Sequence, residues 1–147
     1  MAWIVYALLA AILWGGTYLM YELMLKTVSA SAILFSSYLG SMLVFSCWVI
    51  FDGSFEKDWQ ILKKGGSETS LLLGIIAFSV LANLTFLASM RLKNATLSGL
   101  VEITYPLFTA LFAWVFLKDA QLSVGTFLGA LLIMAGVVCI SYFEKLT

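Results

Sequence analysis

Glu102 is the side chain in this sequence best placed to do chemistry. It lies inside an apolar run reaching from Ala95 to Leu117, about two helical turns from the start of that run, and only one other acid, Glu22, falls within a run of this kind. A charge at the centre of a membrane helix costs about 3 kcal/mol, so acids are kept there mainly where an ion, a proton or a solute is handled. A carboxyl in apolar surroundings holds its proton more tightly than in water, which lets it trade that proton for a solute or retain a cationic one. The competing reading is a protonated glutamic acid hydrogen-bonded between helices for packing alone. Ser98, Glu102, Tyr105 and Thr109 recur at helical spacing. They therefore fall on one stripe, expected to face a bundle interior or a watery cavity rather than lipid. Pro106 follows one turn after Glu102, and its ring removes the amide that would bond the carbonyl of residue 102. A bend is expected there, either as a hinge and site wall or as a structural kink only.

Trp14, Tyr18 and Tyr21 also share helical spacing. Their ring faces would suit an organic cation or an aromatic solute, although ordinary packing, with the tyrosines in an interfacial belt, explains them as well. Asn83, midway along another apolar run, offers both donor and acceptor and serves either a site or interhelical adhesion. Gly125 and Gly129 have the GxxxG spacing and Gly136 follows one heptad later, which predicts a close helix-packing face toward the same chain or a partner. The sequence has no histidine. That removes histidine bases, histidine ligands and histidine proton relays together. The remaining residues show no metal-ligand spacing, so no metal is expected, and no cofactor is expected either. With no pair of acids inside the apolar runs either, the chain is expected not to be an enzyme.

The elements that must position these residues are membrane spans. Of 147 residues, 63% are hydrophobic and 11% charged, and the mean hydropathy is +1.05, which makes the bilayer the solvent. Five runs are long enough to cross: residues 2–25, 31–51, 70–90, 95–117 and 122–143. The expected fold is an all-α integral membrane protein of five transmembrane helices forming one domain over residues 1–147. The first run lacks a basic flank and a cleavage site and reads as a retained span rather than a signal peptide. Between the second and third runs, residues 52–69 carry Asp52, Glu56, Lys57, Asp58, Lys63, Lys64 and Glu68 together with Trp59, Ile61 and Leu62. They predict either a short amphipathic helix in the membrane interface, ended by Gly65 and Gly66, or a solvated loop. Cys47 and Cys139 sit in apolar runs as small hydrophobes. Eight basic residues balance eight acidic ones, so no nucleic-acid partner is expected.

Five spans put the termini on opposite sides of the membrane. Lys57, Lys63, Lys64 and Lys118 then share one side, and Lys26, Arg91, Lys93 and Lys145 the other. A tally of four against four gives no positive-inside preference. Either a few charges or a partner decide the orientation, or copies insert both ways and pair antiparallel, which would create the inverted-repeat architecture of many transporters.

The first span reads AAILWGGTYL, and the fourth and fifth read EITYPLFTALFAWVFLKDAQLSVGTFLGALLIMAGVVCI. Together they resemble the EamA repeat of the drug/metabolite transporter superfamily: a Trp-Gly pair in the first helix, a proline in the fourth, an acid just after it and a glycine-rich fifth helix. The resemblance covers nearly the whole chain. Typical members are similar to two such repeats fused in opposite orientations, so the chain resembles a half-size member that needs a partner copy. Asp119 stands where the family usually has glutamate. The small multidrug resistance proteins instead have an essential glutamate midway along the first of four spans; here that region reads Ala11-Ile12-Leu13-Trp14, so their mechanism does not transfer.

The resemblance implies a secondary transporter subunit for a small organic metabolite or drug, working as a homodimer in the cell membrane with membrane lipid around it. A lipid-carrier flippase subunit and a non-transporting assembly subunit are the alternatives. In the assembly reading, the glycine face of the fifth span is the functional part.

Overall fold

The computed structural model describes residues 2–53, 55–118 and 123–144. Among them there are only helices and the connections between them. They run α1 (Ala2–Leu25), α2 (Ala30–Asp52), α3 (Phe55–Lys63), α4 (Ser67–Leu92), α5 (Ala95–Glu102), α6 (Tyr105–Phe112), a π-helical segment (Ala113–Leu117) and α7 (Val124–Glu144). Five stretches are long and apolar enough to cross a membrane: Ala2–Leu25, Ala30–Asp52, Ser67–Leu92, Ala95–Leu117 and Val124–Phe143. The expected all-α architecture of five spans is present. Asp119, Leu122 and Lys145 lie outside the described residues.

The chain divides into two compact units, Met1–Asn94 and Ala95–Thr147. In the first, α1 gives way to the turn at 26–29, where the amides of Thr27 and Val28 both reach the Met24 carbonyl, at 3.0 and 2.8 Å. Ser29 then caps α2, its hydroxyl accepting from the Ala32 amide at 3.3 Å. At the other end of α2, Gly53 adopts φ +71°, the left-handed conformation that ends a helix at no steric cost. Helix α3 follows, with Glu56 and Asp58 in its first turn and Lys63 in its last, each suited to the adjacent end of the helix dipole. The amphipathic helix of the two readings of residues 52–69 is the one present.

Ile33, Leu34 and Leu87 form the core of this unit, with Tyr21, Leu25, Val28 and Phe86 packed against them. At the same end, the Arg91 guanidinium donates to the Val28 carbonyl at 3.3 Å and ties α4 to the α1–α2 turn. Most other large apolar side chains point outward, Phe51 being 90% exposed. That inversion of the soluble pattern follows from a solvent as apolar as the side chains. Hydroxyls within the spans bond their own helix instead of water: Thr17 to the Leu13 carbonyl at 2.9 Å, Ser41 to Ser37 at 2.8 Å and Thr85 to Leu81 at 2.9 Å.

In the second unit, the fourth span is not one α-helix. Helix α5 stops at Glu102 and α6 starts at Tyr105. Between them the Ile103 amide still reaches Gly99 at 3.1 Å, but the Thr104 amide turns back to Val101 at 3.2 Å and the Leu107 amide to Thr104 at 2.9 Å. These tighter bonds put the irregularity between Glu102 and Pro106, across the bond that the proline removes. Pro106 occupies the first turn of α6, a place where a proline needs no amide. After Phe112 the chain widens into the π-helical segment and ends at Lys118 with φ +53°. Ser123 caps α7, its hydroxyl accepting from the Thr126 amide at 3.1 Å.

Candidate functional site

In the first unit, α1 and α4 bring aromatic rings together. Trp14 and Tyr18, one turn apart on α1, have ring centroids 5.8 Å apart, and Tyr18 meets Phe86 of α4 at 4.5 Å with the planes tilted by 53°. Both separations fall in the range of attractive aromatic pairs. Trp14 is exposed and Tyr18 half-buried, so the ladder runs from the surface of α1 toward the Ile33–Leu34–Leu87 core. Tyr21 continues the same α1 face and packs on that core.

Asn83 is half-buried on α4, three residues before Phe86 and four before Leu87, so it shares the packed face of that helix. Its amide donates to the Ser79 carbonyl at 2.9 Å. That bond within its own helix fixes the side chain along α4.

In the second unit, the expected polar stripe is carried on two helices. Ser98 and Glu102 stand one turn apart on α5, Ser98 only 6% exposed and Glu102 half-buried as the last residue of the helix. Tyr105 and Thr109 stand one turn apart on α6, both exposed, with the Thr109 hydroxyl donating to the Tyr105 carbonyl at 3.2 Å. The turn at 103–104 separates the pairs, and Pro106 has no amide proton to give the Glu102 carbonyl. An acid at the end of a broken helix within the membrane can bind and release a proton or a cation, and loosened backbone beside it adds carbonyl acceptors.

The glycines of α7 face open space. A Cβ at Gly129 or Gly136 would meet nothing within 4 Å, and one at Gly125 only the Ser123 hydroxyl at 3.7 Å.

Sequence reasoning missed three features. Phe86 was within reach, since it lies at helical spacing from Asn83 and next to Leu87. Thr104, two residues before a proline, carries only a weak turn signal. The π-helical segment Ala113–Leu117 carries none, because Ala-Trp-Val-Phe-Leu suits an α-helix equally well.

Residues 1–142 match the EamA-like transporter family. No curated protein and no solved structure matches the chain. The family match runs from the start of α1 into the last turn of α7 and takes in the aromatic ladder, the broken fourth span and the glycine face. Together with the five spans, it establishes that the chain is a multi-pass membrane protein belonging to the EamA-like transporter family.

Proposed function

We propose that the chain is a subunit of a secondary transporter that moves a small organic metabolite or drug across the cytoplasmic membrane, with Glu102 taking up and releasing a coupling proton. Membership of the EamA-like family supports the transporter class. The observation that carries the site is the position of Glu102, half-buried at the end of α5 where the fourth span is interrupted. Helices broken within the membrane mark ion and substrate sites in many transporters, because irregular backbone is tolerated there only against protein or water.

In this reading Ser98, Tyr105 and Thr109 supply hydroxyls around the acid, and Pro106 keeps the interruption open. Trp14 and Tyr18, with Phe86, supply the ring faces for a cationic or aromatic solute, and Asn83 a polar contact beside them. A second copy, inserted antiparallel, completes the transporter. The even split of basic residues and the open glycine face of α7 support that pairing.

The test is flux in reconstituted vesicles under an imposed proton gradient, with ethidium as the organic-cation probe. Gradient-dependent movement of the dye supports the reading. Reversal of a labelled lipid without any soluble-solute flux would replace it with the flippase alternative.

A further inference from the structure

Helix α3 is too short to cross a membrane, its nine residues extending about 14 Å. Chain continuity nevertheless holds it at the membrane boundary. The spans α2 and α4 end at Asp52 and begin at Ser67, which leaves only residues 53–54 and 64–66 as tethers. Along α3, Phe55, Trp59 and Lys63 stand one turn apart. The Phe55 and Trp59 rings stack at 6.0 Å with 11° between their planes, and the Lys63 ammonium lies 5.5 Å from the Trp59 ring centroid. Leu62, on the same side, is half-buried, and its carbonyl accepts the Thr69 hydroxyl at 2.6 Å, so the inner edge of this face is closed against the start of α4. The outer edge is not covered by protein: Phe55 is 54% and Trp59 47% exposed.

We propose that α3 docks on the phospholipid surface, with the Phe55 and Trp59 rings in the boundary between acyl chains and headgroups and Lys63 against the phosphates. Both ends of the helix are fixed at that depth by spans, and an aromatic face rimmed by lysine is the composition that settles there. Lys57 and Gln60, on the opposite side of the helix, face water. The proposal is independent of what the chain transports.

The test uses the full chain with Cys47 and Cys139 replaced by alanine, in vesicles of phosphatidylcholine with a minority of phosphatidylglycerol. Single nitroxide labels are placed at positions 55, 57, 59 and 60, and their collisions with oxygen are compared with those with a water-soluble nickel chelate. The expected result is a preference for oxygen at 55 and 59 that reverses at 57 and 60. Preference for the chelate at all four positions would overturn the proposal, as would shielding of 55 and 59 from both reagents, which would mean a protein covers the face. If Trp59→Cys disturbs folding, the contrast between positions 55 and 60 gives the same reading.

Discussion

Thr104 gives both its backbone amide, at 3.2 Å, and its hydroxyl, at 2.9 Å, to the carbonyl of Val101. The amide bond closes a tight turn with Glu102 and Ile103 at its central positions, and the next turn, closed from Leu107 to Thr104 at 2.9 Å, holds Tyr105 and Pro106. The acid and the proline therefore occupy successive turns. An uninterrupted α-helix would require an amide at position 106 that proline lacks, and Thr104 supplies local bonds where the regular pattern fails.

Pro106→Ala restores that amide and Thr104→Val removes the hydroxyl while keeping the side chain's shape. The alanine variant is expected to close the span into a more regular helix and lower gradient-driven flux about tenfold, equivalent to about 1.4 kcal/mol. The valine variant loses a hydrogen bond worth about 1 kcal/mol and is expected to lower flux less. Vesicle flux at matched protein levels measures both. Wild-type flux in both variants would make the turn a structural kink without a part in transport.

The aromatic ladder gives a separate prediction. Tyr18→Ala removes the ring that touches both Trp14 and Phe86. Each such pair is worth about 0.5–1.5 kcal/mol beyond buried area, and a cation over a ring gains a similar amount. The expected outcome is a rise of several-fold in the concentration of ethidium giving half-maximal flux, with Tyr18→Phe close to wild type. Equal loss in Tyr18→Phe would assign the effect to the hydroxyl instead.

Leu87, 0% exposed between Ile33 and Leu34, is the packing centre of the first unit. Leu87→Ala is expected to destabilise it at the lower end of the range of about 2–5 kcal/mol seen for such cavities. The lower end applies because the lipid outside is as apolar as the core. Unfolding in mixed detergent micelles measures the loss.

Much of the fold could be read from the sequence because membrane spans depend on run length and apolarity. Ala2 to Leu25 appears as one helix, and the second and third spans lengthen by only a few residues at their ends. The fourth span was legible as a crossing but not in its interior. Proline identifies the Glu102 carbonyl as the one that loses its donor, whereas the form of the break depends on how the neighbouring groups bond, here the hydroxyl and amide of Thr104, which both turn to the Val101 carbonyl. In the candidate site, spacing alone placed Trp14 beside Tyr18 and Ser98 beside Glu102. Phe86 joined the first pair only through packing between α1 and α4, a tertiary contact that spacing within one helix does not specify. Residues 52–69 left helix and loop open, and the helix that forms lies between Gly53 and Gly65, both at positive φ.

The open glycine face of α7 predicts an effect confined to assembly. Gly129→Leu places a large side chain where nothing in the described chain stands within 4 Å, so folding of the single chain is expected to be unaffected. If a second copy packs there, chemical cross-linking in membranes will lose the dimer band, and flux will fall with it. A dimer band that persists unchanged would move the interface to another face.

The role proposed for Glu102, carrying the coupling proton, is tested by Glu102→Gln. The variant keeps size and hydrogen-bonding capacity but cannot ionise. In vesicles with an imposed pH gradient and matched amounts of inserted protein, gradient-driven ethidium accumulation is expected to disappear in Glu102→Gln. Accumulation at the wild-type rate would contradict that role.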